Sequence, residues 1–314
     1  MSDTAGGISG SGAQAALFSA LLLFCFTPYA TPPLALALGL GLALTAGHPW
    51  PGHNGRIVKY LLQASVVGLG FGMNFAEVLA AGRTGVVFTA VSIFGTLAAG
   101  WLIGRWLRID RNTSLLISSG TAICGGSAIA AMAPILNAEE KEISVALGTV
   151  FILNSVALFL FPPIGHRFGL SQAQFGLWSA IAIHDTSSVV GAASRYGGEA
   201  LKIATTIKLT RALWILPVSF GAALALKNRA ARVAPPYFIF AFAAASLLVS
   251  VFPGFGPVYS GITRGARTGL TVTLFLIGAG LSRRTLKTVG VKPVLQGVLL
   301  WAIISTASFF LVTR

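Results

Sequence analysis

The chain has 314 residues, of which 55% are hydrophobic and only 10% charged, and its mean hydropathy is +0.81. Soluble domains carry roughly 25% charged residues, so this composition excludes a soluble globular protein and indicates an all-α, polytopic membrane protein. The formal net charge of +14 is spread over short loops rather than gathered in one patch or tail. That distribution argues against a nucleic-acid partner and matches the positive-inside pattern of membrane proteins.

A polar, Gly/Ser-rich leader occupies about residues 1–13 and lacks the basic start of a signal peptide. The rest, 14–314, reads as a single membrane transport domain. A spanning helix needs ~20 apolar residues, and about eleven such segments fit. The first covers about 14–29, the second about 33–47 and the third about 56–79, with glycines at 68, 70 and 72. The fourth covers about 84–107 and leads through a basic loop into the fifth, Ser118–Leu136.

The fifth segment, SSGTAICGGSAIAAMAPIL, is apolar yet broken by Gly120, Gly125 and Gly126. Glycine weakens a helix and serine caps one, so the expectation is two half-helices, the second capped by Ser127. A free helix N-terminus carries about half a positive charge and open N–H groups, which suit an anion. The plainer reading is that small residues only let helices pack closely.

The sixth segment, about 143–161, is expected to stop at Pro162 and Pro163. The seventh, about 175–193, holds His184, Asp185, Thr186, Ser187 and Ser188, a run of capping residues that suggests a second half-helix start. The eighth, about 201–226, places Lys208 and Arg211 on one face. Segments nine to eleven follow at about 236–252, 268–281 and 294–312.

Ionisable groups inside a membrane raise a functional hypothesis. Asp185 could pair with Lys208 or Arg211 and merely tie helices together, or carry a coupling proton. His184, with an unperturbed pKa of ~6.5, could exchange a proton near neutrality or serve as a buried donor. Asn74 and Asn154 read as interhelical hydrogen bonds before ligand contacts. Cys25 and Cys124 both fall in apolar segments, so neither a disulfide framework nor a zinc site is expected. No phosphate loop, zinc-protease motif or nucleophile elbow occurs, so no enzyme and no bound cofactor are expected.

Parity makes the fifth and seventh segments run the same way, so they cannot be mates in an inverted repeat. Inverted five-helix repeats, about 33–163 and 173–312, would pair the fifth with the glycine-marked tenth, TGLTVTLFLIGAGLS. Thirteen Lys and Arg, including Arg56, Arg108, Arg167 and Lys227, gather on one side, and seven, including Arg83, Lys141 and Arg195, on the other. The positive-inside rule then puts the N-terminus in the cytoplasm and the knot at Glu139–Glu142 outside.

The motifs GTAICGGSAIAA and AIHDTSSVVGAA, with LGFGMNFAEV upstream, resemble the signature segments of the YeiH-type family of bacterial inner-membrane proteins, assigned as sulfate exporters. The resemblance implies a fold akin to cation–proton antiporters and bile-acid symporters, with a panel domain and a core of discontinuous crossing helices. It carries over Cys124, Gly125, Gly126, Ser127, His184, Asp185 and Ser187. The resulting expectation is a multi-pass inner-membrane secondary transporter of a small anion, sulfate or a sulfonate-like compound, working by alternating access. Cys124, Gly125, Gly126, Ser127, Ser187, Lys208 and Arg211 would bind the anion, and His184 and Asp185 would couple it to protons. Alternatives are a sodium-coupled organic-anion carrier and a membrane anion sensor or structural partner that moves nothing. The partners to consider are membrane lipid, the anion and a second copy in a homodimer.

Overall fold

The computed structural model describes residues 6–226, 237–281 and 289–313, and no strand occurs among them. In chain order the helices are α1 (Gly6–Phe24), α2 (Pro32–Thr45), α3 (Pro51–Gly70), α4 (Phe75–Trp106), α5 (Arg111–Ala122), α6 (Gly126–Leu136) and α7 (Glu140–Arg167). They continue with α8 (Gln172–Ala182), α9 (Thr186–Tyr196), α10 (Gly198–Leu213), α11 (Ile215–Ala225), α12 (Tyr237–Val251), a 3₁₀ turn at Pro253–Phe255, α13 (Gly256–Gly280) and α14 (Val291–Thr313). Among the described residues, three stretches are individually long and apolar enough to span a bilayer: α7, the joined α10–α11 and α14. A fourth qualifies if α12 and α13, bent by 101° at the 3₁₀ turn, count as one. The basic residues Lys227, Arg229, Arg232, Arg283, Arg284 and Lys287 lie outside the described residues.

Local chemistry explains where the helices start. Asn74 accepts the Ala76 N–H at the head of α4, and Asp110 accepts the Thr113 N–H at the head of α5. Glu139 with Glu142 and Ser171 with Gln174 form capping boxes for α7 and α8. Pro162 and Pro163 do not end the sixth segment as expected. They lie inside α7, which runs on to Arg167. The first helix likewise begins at Gly6, within the stretch read as a leader.

Both expected breaks are present, but the chain does not continue across them in one direction. Phe175 near the start of α8 stacks on Tyr196 at the end of α9, with ring centroids 3.8 Å apart and planes 4° apart. The Tyr196 hydroxyl donates to the Leu170 carbonyl just before α8, at 2.6 Å. The two helices therefore fold back as a hairpin with its tip at Ile183–Asp185. The α5–α6 pair does the same. Ile129 of α6 packs on Gly120 of α5, and Leu116 and Ile117 share a buried cluster with Ile135 and Leu136. Asn112 at the head of α5 donates to Glu142, six residues past the end of α6, at 3.2 Å. Its tip is Ile123–Gly125.

These hairpins correct two expectations. Discontinuous helices do not cross the bundle; each half-helix pair enters and leaves at one end. The tenth segment is not a broken mate of the fifth, because α13 is continuous from Gly256 to Gly280. Parity separates the fifth segment from the seventh only where every segment crosses. With hairpins it no longer separates the fifth from the seventh, since α7 lies between them and reverses their sense. The plan that emerges is a hairpin followed by a 28-residue helical stretch, twice: α5–α6 then α7, and α8–α9 then α10–α11.

Long helices connect the two hairpin ends. α7 starts beside the open end of hairpin α5–α6 and finishes where Gly165 packs on Phe175 and Tyr196 at the open end of α8–α9. α14 runs alongside: Gln296 donates to Gly100 and Ser114 at the first end, and Gln174 donates to Val312 at the second. Elsewhere α2 and α13 meet backbone to backbone. A Cβ on Gly39 would lie 2.8 Å from the Ala279 nitrogen, and one on Gly278 would lie 2.8 Å from that of Leu40. Small residues permit such close membrane contacts.

Candidate functional site

The two hairpin tips meet at the centre of the bundle. Gly125 has φ +69°, a conformation that side chains disfavour. A Cβ there would sit 3.3 Å from that of Asp185. Asn154, the middle residue of α7, holds the second tip. Its Oδ1 accepts the backbone N–H of His184 at 3.0 Å and that of Asp185 at 3.2 Å. A mid-helix asparagine in an apolar span was the only sequence signal for this role.

Each tip exposes one helix C-terminus and one helix N-terminus. Orphan carbonyls at a C-terminus attract cations, and orphan N–H groups at an N-terminus attract anions. Arg211, fully buried on α10, answers both C-termini. Its Nε donates to the Ala122 carbonyl at 2.6 Å, Nη2 to Thr121 at 3.3 Å and Nη1 to Ile181 at 2.6 Å. One guanidinium thus ties the end of α5 to the end of α8. Lys208, equally buried, donates to the Ile183 carbonyl at 2.7 Å and to Ala180 at 3.4 Å.

The N-termini are treated unequally. Asp185 caps α9, accepting the N–H groups of Ser187 and Ser188 at 3.0 and 3.3 Å and also the Ser187 hydroxyl. Helix α6 has Gly125 at its cap, which has no side chain to accept from the first turn. The helix starts at Gly126, and Ser127 is exposed in its first turn instead of capping it. The expected cap at Ser127 fails because Gly125, in its positive-φ conformation, already turns the chain into the helix.

Of the two alternatives for Asp185, the ion pair is absent. Among the described residues the one ion pair is Lys202–Glu77, and neither Lys208 nor Arg211 is joined to Asp185. Helix ends, not opposite charges, satisfy these side chains. Cys124 is a free, buried thiol at the first tip. Several buried polar atoms near the tips have no hydrogen-bond partner: both ring nitrogens of His184, Asn154 Nδ2 and Thr121 Oγ1. Buried polar groups are normally paired, so these are the groups available to a ligand, a proton or water. Asn74 lies away from this centre, as the cap of α4.

Fold and site together define a class: a multi-pass, all-helical membrane protein built around two hairpins that meet tip to tip. A family profile described as "Conserved hypothetical protein 698" matches residues 15–297. The chain belongs to this family, the UPF0324 membrane proteins, which is the YeiH-type family that its motifs resemble. A UPF0324 membrane protein of Bacteroides thetaiotaomicron is 54% identical over 308 residues, covering 93% of this chain and 92% of that protein. One from Porphyromonas gingivalis is 57% identical over 290 residues, covering 90% and 87%. One from Geobacter sulfurreducens is 48% identical over 298 residues, covering 95% and 96%. No solved structure matches the chain significantly. These relatives and the apolar helices make it a multi-pass bacterial membrane protein.

Proposed function

We propose that the protein is a secondary transporter of a small anion, with sulfate or a sulfonate-like compound as the first candidate. The observation that carries this reading is the uncapped N-terminus of α6, set against the tip of the second hairpin beside the buried Lys208 and Arg211. Free N–H groups of a helix N-terminus bind an oxyanion well. Gly126 and Ser127 contribute those groups, and Gly125 keeps the approach open.

Lys208 and Arg211 act here by holding the hairpin ends, which sets the charge and shape of the site without touching the anion. Ser187 and Asp185 hold the second tip in the same way. The Asp185 carboxylate is committed to three donors, so the coupling proton falls to His184, whose ring nitrogens are unengaged. Hairpins opening toward opposite ends suit alternating access, because displacing either one uncovers the same central point from its own side.

Purified protein in proteoliposomes tests the reading. Sulfate uptake should follow an imposed pH gradient, and His184→Gln should retain sulfate binding while losing the pH dependence. Absence of flux for sulfate and for simple sulfonates would overturn the transport reading. Flux that follows a sodium gradient and ignores pH would overturn the proton coupling.

A further inference from the structure

Outside the tips, the hairpin α8–α9 end of the bundle holds a cavity of about 550 Å³ between α3–α4, α10 and the start of α13. Its charged lining is Lys202, Arg264 and Arg267 against a single carboxylate, Glu77. Glu77 is already matched by Lys202 at 3.4 Å, which leaves the two arginines without a partner in the wall. Arg264 and Arg267 stand one turn apart on α13 and face the same way. The cavity also presents the Ser260 and Tyr259 hydroxyls, each of which donates to a nearby carbonyl.

A second cavity, about 480 Å³, adjoins it and shares Met73, Glu77 and Lys202. It extends down α10 to Thr206, which at 1.5 Å per residue stands roughly 3 to 8 Å along the axis from Lys208 and Arg211. Met73 is buried in the cluster that contains Ile123 and Cys124 of the first tip. The Glu77–Lys202 pair, half-exposed itself, therefore stands on the boundary between this outer cavity and a second one that opens at the exposed start of α10. The second cavity carries Glu77 and Glu199 against Lys202 alone, so an anion is favoured only on the Arg264–Arg267 side of the pair.

We infer that the outer cavity is a second anion-binding site, an antechamber for small oxyanions lined by Arg264, Arg267 and Lys202. Its surplus positive charge, in a concave wall, raises the local concentration of anions. Lys202 is its inner contact, shared between Glu77 and the anion. The role in transport rests on the anion reading above; the binding site itself does not.

The test uses the full-length protein in nanodiscs at low ionic strength. Ser260→Cys is placed in the cavity wall, with the parent protein as background because Cys25 and Cys124 are buried. The probes are two methanethiosulfonate reagents of similar size, one bearing a sulfonate and one a trimethylammonium group. The ratio of their rates, relative to a free thiol in the same buffer, should favour the sulfonate by about tenfold. Arg264→Gln with Arg267→Gln should bring the ratio close to that of the free thiol, and Glu77→Gln should raise it above the parent value. A ratio equal to that of the free thiol, insensitivity to the double arginine change, or no labelling by either reagent would each overturn the antechamber. Because no flux is read, the two proposals fail separately. Sulfonate preference without anion flux removes transport and keeps the site, and flux without preference does the reverse.

Discussion

At the scale of single residues, the buried charges are best understood as helix caps. Arg211 donates to three carbonyls on two hairpins, and hydrogen bonds from charged groups contribute ~1.5–3 kcal/mol each. Arg211→Met should therefore destabilise the protein by about 3 kcal/mol or more, read from detergent-denaturant unfolding monitored by tryptophan fluorescence. Asp185 is different, since Asn caps a helix about as well as Asp. Asp185→Asn should cost less than about 1 kcal/mol, whereas Asp185→Ala should cost ~1–2 kcal/mol. An ion pair predicts another order. Removing one member of a buried pair costs ~3–5 kcal/mol, and adding Lys208→Gln would then recover it. Such a recovery would sink the capping account. The sequence showed that Lys208, Arg211 and Asp185 were costly in an apolar setting, but not what they satisfied. Backbone carbonyls at a helix end leave no mark in the residue code, so the visible opposite charges suggested each other.

At the scale of elements, the breaks were legible and the folding-back was not. Gly125 and the run from Asp185 to Ser188 act within a few residues, so their effect can be read locally. The direction taken after a break depends on contacts such as Phe175 with Tyr196 or Asn112 with Glu142, which no local pattern encodes. Gly125 and Gly126 should separate the two kinds of requirement. Gly125→Ala places a side chain at positive φ and 3.3 Å from the Asp185 Cβ, and such strain costs ~1–3 kcal/mol. A Cβ on Gly126 would only touch Leu147 and Phe151 at 3.4 Å, so Gly126→Ala should stay within about 1 kcal/mol of the parent. Equal losses in the same unfolding assay would contradict the tip geometry. The outer end of the first hairpin carries a pH signature. The Thr113 N–H holds the Asp110 carboxyl below its ordinary range. A depressed carboxyl adds stability above its unfolded pKa and loses it as pH falls through the folded value. Hydrogen exchange at the first turn of α5 should accordingly quicken below about pH 4, and Asp110→Asn should remove that acid dependence.

At the scale of the whole molecule, the hairpins change which loops share a side of the membrane. Were the nine other segments of the sequence reading all to cross, two re-entrant hairpins would still leave the two termini on opposite sides, as eleven crossings would. The basic tally is no guide between these arrangements, because Lys141 and Arg167 simply trade places and the thirteen-to-seven bias survives. On the positive-inside rule, the expected side of the N-terminal end, with Arg108, is still the cytoplasm. If α5–α6 folds back, the knot at Glu139–Glu142 returns to the side of Arg108, which the Asn112–Glu142 contact supports. Arg167, at the far end of α7, then faces outward. Single cysteines at these three exposed positions distinguish the arrangements in intact cells treated with a membrane-impermeant maleimide. Arg167→Cys should label, while Arg108→Cys and Lys141→Cys should label only after the membrane is opened. A broken helix that crossed would give a different pattern, with Lys141→Cys labelled from outside and both arginine positions protected. That outcome would restore eleven crossings and remove the meeting of hairpins from opposite ends on which the transport proposal depends. Labelling of Arg108→Cys and Lys141→Cys together, with Arg167→Cys protected, would keep the hairpins and invert the molecule, placing the Arg264–Arg267 antechamber on the cytoplasmic face.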